Sequence, residues 1–299
     1  MQVLITGGTG FVGRHLARGF LDQGHAVTLV GSSYGEHGAC AGACRTLQAD
    51  TSRPGNWQQS AAEADLIINL TGRTIFKRWT PRYKQQIYDS RILTTRNIVA
   101  ALPPGRSVVL VSTSAVGYYG DGRDALLPET APAGNDFLAR LSVDWEQAAL
   151  GALAKGARVV LARFGIVLAA DGGALAKMLP PFRLFAGGPI GSGRQWFPWI
   201  HMADLVAAIE FLAGRGDLSG AFNLCSPQPV TNRELAQALG HSLGRPAIMP
   251  TPGLALKLLM GEMAGVLLAG QRAVPERLTA AGFQFQFPRL DQALADLLK

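Results

Sequence analysis

The sequence predicts an α/β protein: a doubly wound parallel sheet with a smaller, mostly helical C-terminal domain. Three observations predict it. The first thirteen residues, MQVLITGGTGFVG, run an apolar strand straight into a glycine-rich turn. Apolar runs without polar alternation recur at 65–70, 108–112 and 159–168, as strands covered on both faces require. From Arg245 the chain changes character, with RPAIMPTPG leading into an apolar helical stretch.

The elements follow in order. A strand at 3–5 meets Gly7, Gly8, Thr9, Gly10, Phe11, Val12 and Gly13; a helix then sets Leu16, Phe20 and Leu21 on one face, and a second strand covers 26–30. In this strand–turn–helix–strand unit Gly7 permits the tight turn, Gly10 lets the backbone approach a pyrophosphate, and Gly13 lets the helix pack on the strand. A pyrophosphate there would sit on free N–H groups at a helix N-terminus. The expected module is therefore a Rossmann-type dinucleotide-binding domain over 1–225, its cofactor touched by Gly7, Thr9, Gly10, Phe11, Val12 and Gly13. After the second strand stand Gly31, Ser32 and Ser33, where the adenosine ribose would lie. An Asp or Glu there would repel a 2′-phosphate, and this chain has none. Ser32 and Ser33 can donate hydrogen bonds, so NADP is expected in preference to NAD.

A short strand at 46–49 ends in Asp50, which fits an acidic cap. The run 65–70 delivers Leu70, Thr71 and Gly72 to the sheet edge, where strand ends line the ligand crevice. The strand at 108–112 delivers Ser112, Thr113 and Ser114 to the same edge, beside the expected nicotinamide, before turns at Gly117 and Gly120. One strand is expected across 159–168 and a last one across 220–229. Residues 187–193 form a glycine-rich loop at the pocket rim, and His201 and Asp204 are read as structural groups at a helix start. TNRE at 231–234 is a capping-box pattern.

Composition limits the function classes. Of 299 residues, 48% are hydrophobic and 16% charged, as in folded globular proteins. Net charge is +7 and pI about 9.7, yet no run of adjacent basic residues or basic tail points to nucleic acid. The N-terminus lacks signal-peptide character. The apolar stretch 253–270 is interrupted by Lys257 and Glu262 and is too short to span a bilayer. A cytoplasmic protein without membrane or nucleic-acid partners is expected, as monomer or homodimer, with a small-molecule substrate. Cys40, Cys44 and Cys225 are too few for a disulfide framework; Cys40 and Cys44, beside His37, read as reduced loop thiols, and no metal site is expected.

The turn TGGTGFVG resembles the extended short-chain dehydrogenase/reductase superfamily. KRWT at 77–80, SRILTT at 90–95, SAVGYYGD at 114–121, DWE at 144–146, RFGIVL at 163–168 and GPIGSGRQWFPWIHMADL at 188–205 resemble its atypical epimerase-family branch, with a small C-terminal domain of unknown function at 245–299 over the substrate cleft. The resemblance implies that Ser114 hydrogen-bonds a substrate oxygen, that Arg91 replaces the usual asparagine, that Arg163 and Ile166 pass the nicotinamide, and that Asp50, besides fitting a cap, stands where the superfamily has an acid near the adenine. Arg163 reads equally as a structural ion pair. The superfamily's Tyr-x-x-x-Lys is missing: aligned on Glu146, Leu138 stands at the tyrosine and Ser142 at the lysine position. Proton transfer would fall to Tyr118, Tyr119 or water, although both tyrosines fit a packing role as well. Two functions follow: an NADP-dependent oxidoreductase or nucleotide-sugar-type epimerase or dehydratase, or a silent NADP(H)-binding redox sensor.

Overall fold

A computed structural model describes residues 1–32 and 42–299. Seven strands form one sheet: β1 (Gln2–Thr6), β2 (Ala26–Gly31), β3 (Arg45–Gln48), β4 (Leu66–Asn69), β5 (Val109–Ala115), β6 (Arg158–Phe164) and β7 (Gly220–Leu224). They run in the order 3-2-1-4-5-6-7, and every neighbouring pair is parallel. The order reverses between β1 and β4, so a crevice opens beyond their C-terminal ends.

Both faces of the sheet are covered because successive strand residues alternate sides. Val3 and Ile5 of β1 pack with Leu16 and Phe20 of α1 (Phe11–Asp22), and with Leu205 and Ile209 further along the chain. Leu4 points the other way, into a core with Trp57 of α2 (Trp57–Glu63) and Ile98 of α3 (Pro81–Ala101). Thr80 caps α3 by accepting from the Tyr83 N–H at 3.1 Å, and Asp136 caps α4 (Phe137–Leu150) through the Ala139 N–H at 2.8 Å. Each cap satisfies a donor that the helix cannot.

Beyond β6 the fold departs from the sequence reading. The expected strand 159–168 breaks at Gly165, where an added Cβ would lie 2.8 Å from the Pro198 carbonyl oxygen. Residues Ile166–Ala169 then pair with Trp199–His201, outside the main sheet. The expected strand 220–229 likewise ends at Leu224, and Val230–Thr231 pairs with Trp196–Phe197. Continuous apolar sequence hides both breaks, since it is compatible with either arrangement.

Four helices fill this half: α5 (Gly173–Arg183), α6 (Met202–Gly214), α7 (Asn232–Leu243) and α8 (Gly253–Met260). The TNRE capping box forms, with Thr231 and Glu234 reciprocally bonded. The last part of the chain, with α9 (Ala264–Leu268), α10 (Glu276–Ala280) and α11 (Leu290–Leu297), shares its cores with the rest. Leu278 joins the sheet core, while Leu290 and Leu294 pack against Leu235 and Leu239 of α7. Asp204, at the start of α6, accepts from the Gln286 and Phe287 N–H groups at 2.7 and 3.0 Å. Cys44 is disulfide-bonded, which corrects the reading of reduced loop thiols; Cys40 and His37 lie outside the described residues.

Candidate functional site

The site begins in the turn after β1. Gly7 has φ 70°, and an added Cβ would stand 3.0 Å from the Leu70 carbonyl carbon. Only glycine accepts both conditions. At Gly13 an added Cβ would lie 2.5 Å from the Gly8 carbonyl oxygen, so α1 packs directly on the turn. Gly10 precedes α1 in extended conformation, and no side chain caps the helix. Its first-turn N–H groups are therefore open to a ligand anion. The Thr9 hydroxyl occupies the place of a Cβ at Gly31, which accounts for glycine there. The Phe11 ring packs over Gly172 and Gly173, and Val12 is partly buried against the α1 side of the sheet.

The ends of β4 and β5 form the opposite wall. Asn69 is fully buried: its Oδ1 accepts from the Thr6 hydroxyl at 2.8 Å, and its Nδ2 donates to Thr95 Oγ1 at 2.9 Å. This node ties β1, β4 and α3 together beneath the crevice. Above it, the hydroxyl oxygens of Thr71, Ser112 and Thr113 are buried without a hydrogen-bond partner. Buried polar atoms are nearly always paired, so these orphans stand out; Ser112 and Thr113, successive on β5, face opposite sides of the sheet, and Thr71 follows β4 at the crevice. The open cradle at Gly7–Gly13, with Thr71 beside it, fits a dinucleotide.

Arg91, on α3, closes the same wall. Nη1 donates to the carbonyl oxygens of Arg73 and Ile87 at 3.1 and 3.0 Å. Gly72 lies directly against the guanidinium: an added Cβ would be 2.9 Å from Cζ. The Trp145 ring centroid is 5.2 Å from Cζ. Burial pulls the guanidinium down to about 10, so it remains charged at neutral pH. Among the described residues no carboxylate pairs with it.

The ends of β5 and β6 are organised differently. Ser114 donates its hydroxyl proton to Glu146 Oε1 at 2.7 Å. Glu146 in turn holds Arg163 through two bonds of 2.8 Å. Arg163 also donates to the Tyr119 oxygen at 3.0 Å and to the Glu129 carbonyl at 3.1 Å, and it lies 3.5 Å from the Tyr118 ring centroid. The Tyr119 hydroxyl donates to Asn223 Oδ1 at 2.8 Å. Glu129 accepts from the Asn223 and Arg277 N–H groups at 3.0 and 3.2 Å. Burial would lower Arg163, but its bonds to Glu146 and that residue's charge outweigh it and raise the guanidinium. Burial raises the Tyr119 phenol to about 12.

This network places several of the sequence candidates. Arg163 takes the ion-pair reading, with four of its N–H groups committed inside the protein. Ile166 lies past the Gly165 break, in the two-stranded pairing with Trp199. Tyr119 is 4% exposed and its hydroxyl proton is engaged by Asn223. Tyr118 is partly exposed beneath the Arg163 guanidinium. Asp50 caps its own turn, accepting from the Ser52 N–H and hydroxyl at 3.1 and 2.6 Å. Ser32 is exposed at the end of β2, and Ser33 lies outside the described residues. His201 is structural: Nδ1 accepts from the Ala203 N–H at 3.0 Å.

Sequence reasoning missed Asn69 and the bonding role of Glu146. Asn69 had a signal, a lone amide inside the apolar run DLIINL. Glu146 served only as an alignment mark, and its partners lie on distant elements.

Comparison with known proteins agrees with this geometry. Residues 3–225 match the NAD dependent epimerase/dehydratase family, and residues 251–297 match a domain of unknown function, DUF1731. Along its full length the chain is 39% identical to the chloroplastic epimerase family protein SDR39U1 homolog of Arabidopsis thaliana, covering 87% of it. It is 38% identical to the epimerase family protein SDR39U1 of Mus musculus, covering 100% of both. It superposes with a TM-score of 0.86 on the human epimerase family protein SDR39U1 crystallised with NADPH, at 34% identity over 99% of both chains.

Proposed function

This chain belongs to the NAD dependent epimerase/dehydratase family, and from that premise we propose that it uses NADP as an oxidoreductase or epimerase acting on a small substrate. The observation that carries the reading is the open crevice at the β1–β4 reversal: a glycine cradle, uncapped helix N–H groups and the orphaned Thr71 hydroxyl. The NADPH bound by the human relative supports the choice of cofactor.

In this reading the turn Gly7–Gly13 and the start of α1 hold the diphosphate, and Ser32 meets the 2′-phosphate. Thr71 and Ser112 supply the polar contacts deeper in the crevice. The cofactor, when bound, supplies hydride exchange. Ser114 spends its proton on Glu146, so its oxygen presents lone pairs and accepts from a substrate hydroxyl. That polarity favours an alcohol over a carbonyl as the group resting on Ser114. Arg91, charged and without a carboxylate, anchors an anionic group of the substrate or cofactor.

Calorimetry with the full chain tests the cofactor. NADPH is expected to bind more tightly than NADH. Ser32→Asp should weaken NADPH and spare NADH, because a carboxylate would face the extra phosphate; unchanged NADPH affinity would remove Ser32 from the adenosine pocket. A second reading, a silent NADP(H)-responsive protein, draws on Leu138 and Ser142 at the tyrosine and lysine positions and on the engaged Tyr119 proton. NADP reduction with a panel of alcohols, abolished by Ser114→Ala, supports the enzyme. Tight binding with no turnover supports the sensor.

A further inference from the structure

One surface departs from the rest in both polarity and charge. Leu184, Phe185, Ile248, Leu254, Leu258 and Leu259 are between 57 and 79% exposed, and α8 has no buried residue. These side chains come from segments held together by the backbone. The Met249 N–H donates to the Gly187 carbonyl at 3.1 Å and the Thr251 N–H to the Pro189 carbonyl at 2.9 Å, while Arg245 lies 4.4 Å from the Phe185 ring centroid. On the other side, Lys84 binds Glu262 at 2.6 Å and Lys177 lies 5.1 Å from the ring of exposed Phe76.

The charge of the molecule is concentrated in the same segments. Residues 73–84, 172–190 and 241–262 hold nine of the 28 basic residues and one of the 21 acidic ones. That acid, Glu262, is taken by Lys84. The remainder of the chain has 19 bases against 20 acids, so the positive excess of the protein resides on these three segments. Exposed leucines on a short helix with unpaired cations around it match the physics of interfacial binding: apolar side chains enter the acyl boundary while Lys and Arg meet anionic headgroups. A second copy of this chain is disfavoured on the same surface, because a two-fold interface would set the cationic segments against themselves.

We infer that this face docks peripherally on an anionic lipid bilayer, with Leu254, Leu258 and Leu259 entering its surface. The stretch that is too short to span a membrane would thus lie on one. Arg73, in the loop leaving β4, accepts from Arg91 through its carbonyl, so the docked loop borders the crevice wall.

Co-sedimentation of the full chain tests this, using vesicles of phosphatidylcholine mixed equally with phosphatidylglycerol and vesicles of phosphatidylcholine alone. The protein should pellet with the anionic vesicles, and added salt should weaken the association. The double substitution Leu258→Glu, Leu259→Glu should lower partitioning about tenfold or more with NADPH affinity unchanged, which shows that the fold is intact. Lys77→Ala and Arg78→Ala should each lower it about fivefold. Equal pelleting with both vesicle types, or partitioning indifferent to the leucine substitutions, overturns the inference. A dimer in sedimentation velocity that the same leucine substitutions dissolve, without vesicle binding, overturns it in favour of self-association.

Discussion

At the ends of β1 and β4 the polar groups are left open: an orphaned hydroxyl on Thr71, an uncapped α1, and Arg91 without a carboxylate. At the ends of β5 and β6 they are closed, Ser114 running through Glu146 and Arg163 to Tyr119 and Asn223. The first region stores unmet hydrogen bonds that a ligand would complete. The second completes its own. Satisfied polar groups hold a structure together, whereas unsatisfied ones anticipate a partner, and this chain separates the two along one sheet edge.

Substitutions can break that contrast. Glu146→Ala leaves Arg163 buried and unpaired, and unfolding by urea should show a loss of about 3–5 kcal/mol. Next in size, Gly13→Val drives a side chain into the Gly8 carbonyl and should weaken NADPH in calorimetry about a hundredfold, or ~2.7 kcal/mol. Arg91→Leu sharpens the contrast further. Two hydrogen bonds but no ion pair are lost, so stability should fall by only about 1–2 kcal/mol while NADPH or an anionic substrate binds about tenfold more weakly. A stability loss comparable to that of Glu146→Ala would place Arg91 with the closed region instead.

The smallest effect concerns pH. Burial holds the His201 imidazole below its ordinary value, against the opposing charges of Asp204 and of Asp296, whose Oδ2 is 3.4 Å from Nε2. Because the folded value is depressed, the contribution to stability is complete above the unfolded value, about 6.5, and is lost as pH falls through the lower folded one. Protonation would also disturb the cap on α6. Amide exchange in α11, next to His201, should therefore quicken on acidification from neutral pH. Exchange that instead slows in acid, after correction for intrinsic rates, would reverse this assignment.

Much of the open region was legible in the sequence, because its determinants are local. The glycine spacing, the strands on either side and the TNRE capping box each occupy a few consecutive residues. The closed region was not. Ser114, Glu146, Arg163 and Asn223 belong to four separate elements, and only packing brings them together. The Gly165 break was hidden for a related reason: the backbone that excludes a side chain there is Pro198, far along the chain. Arg163 admitted two readings from sequence, and its commitment to Glu146 depends on a register between β5 and β6 that pairs Ser114 with Arg163.

The closed network also sets a boundary for recombination. Asn223 Nδ2 donates to the Val274 carbonyl at 2.9 Å and Glu129 accepts from the Arg277 N–H, so each half of the chain terminates bonds begun in the other. A chimera joined between β7 and α8 inherits polar stubs from two parents. Exchange of C-terminal segments among relatives should yield folded proteins only where the donor and recipient match at 129, 204 and 223, which makes those positions, rather than the segment border, the true seam for engineering.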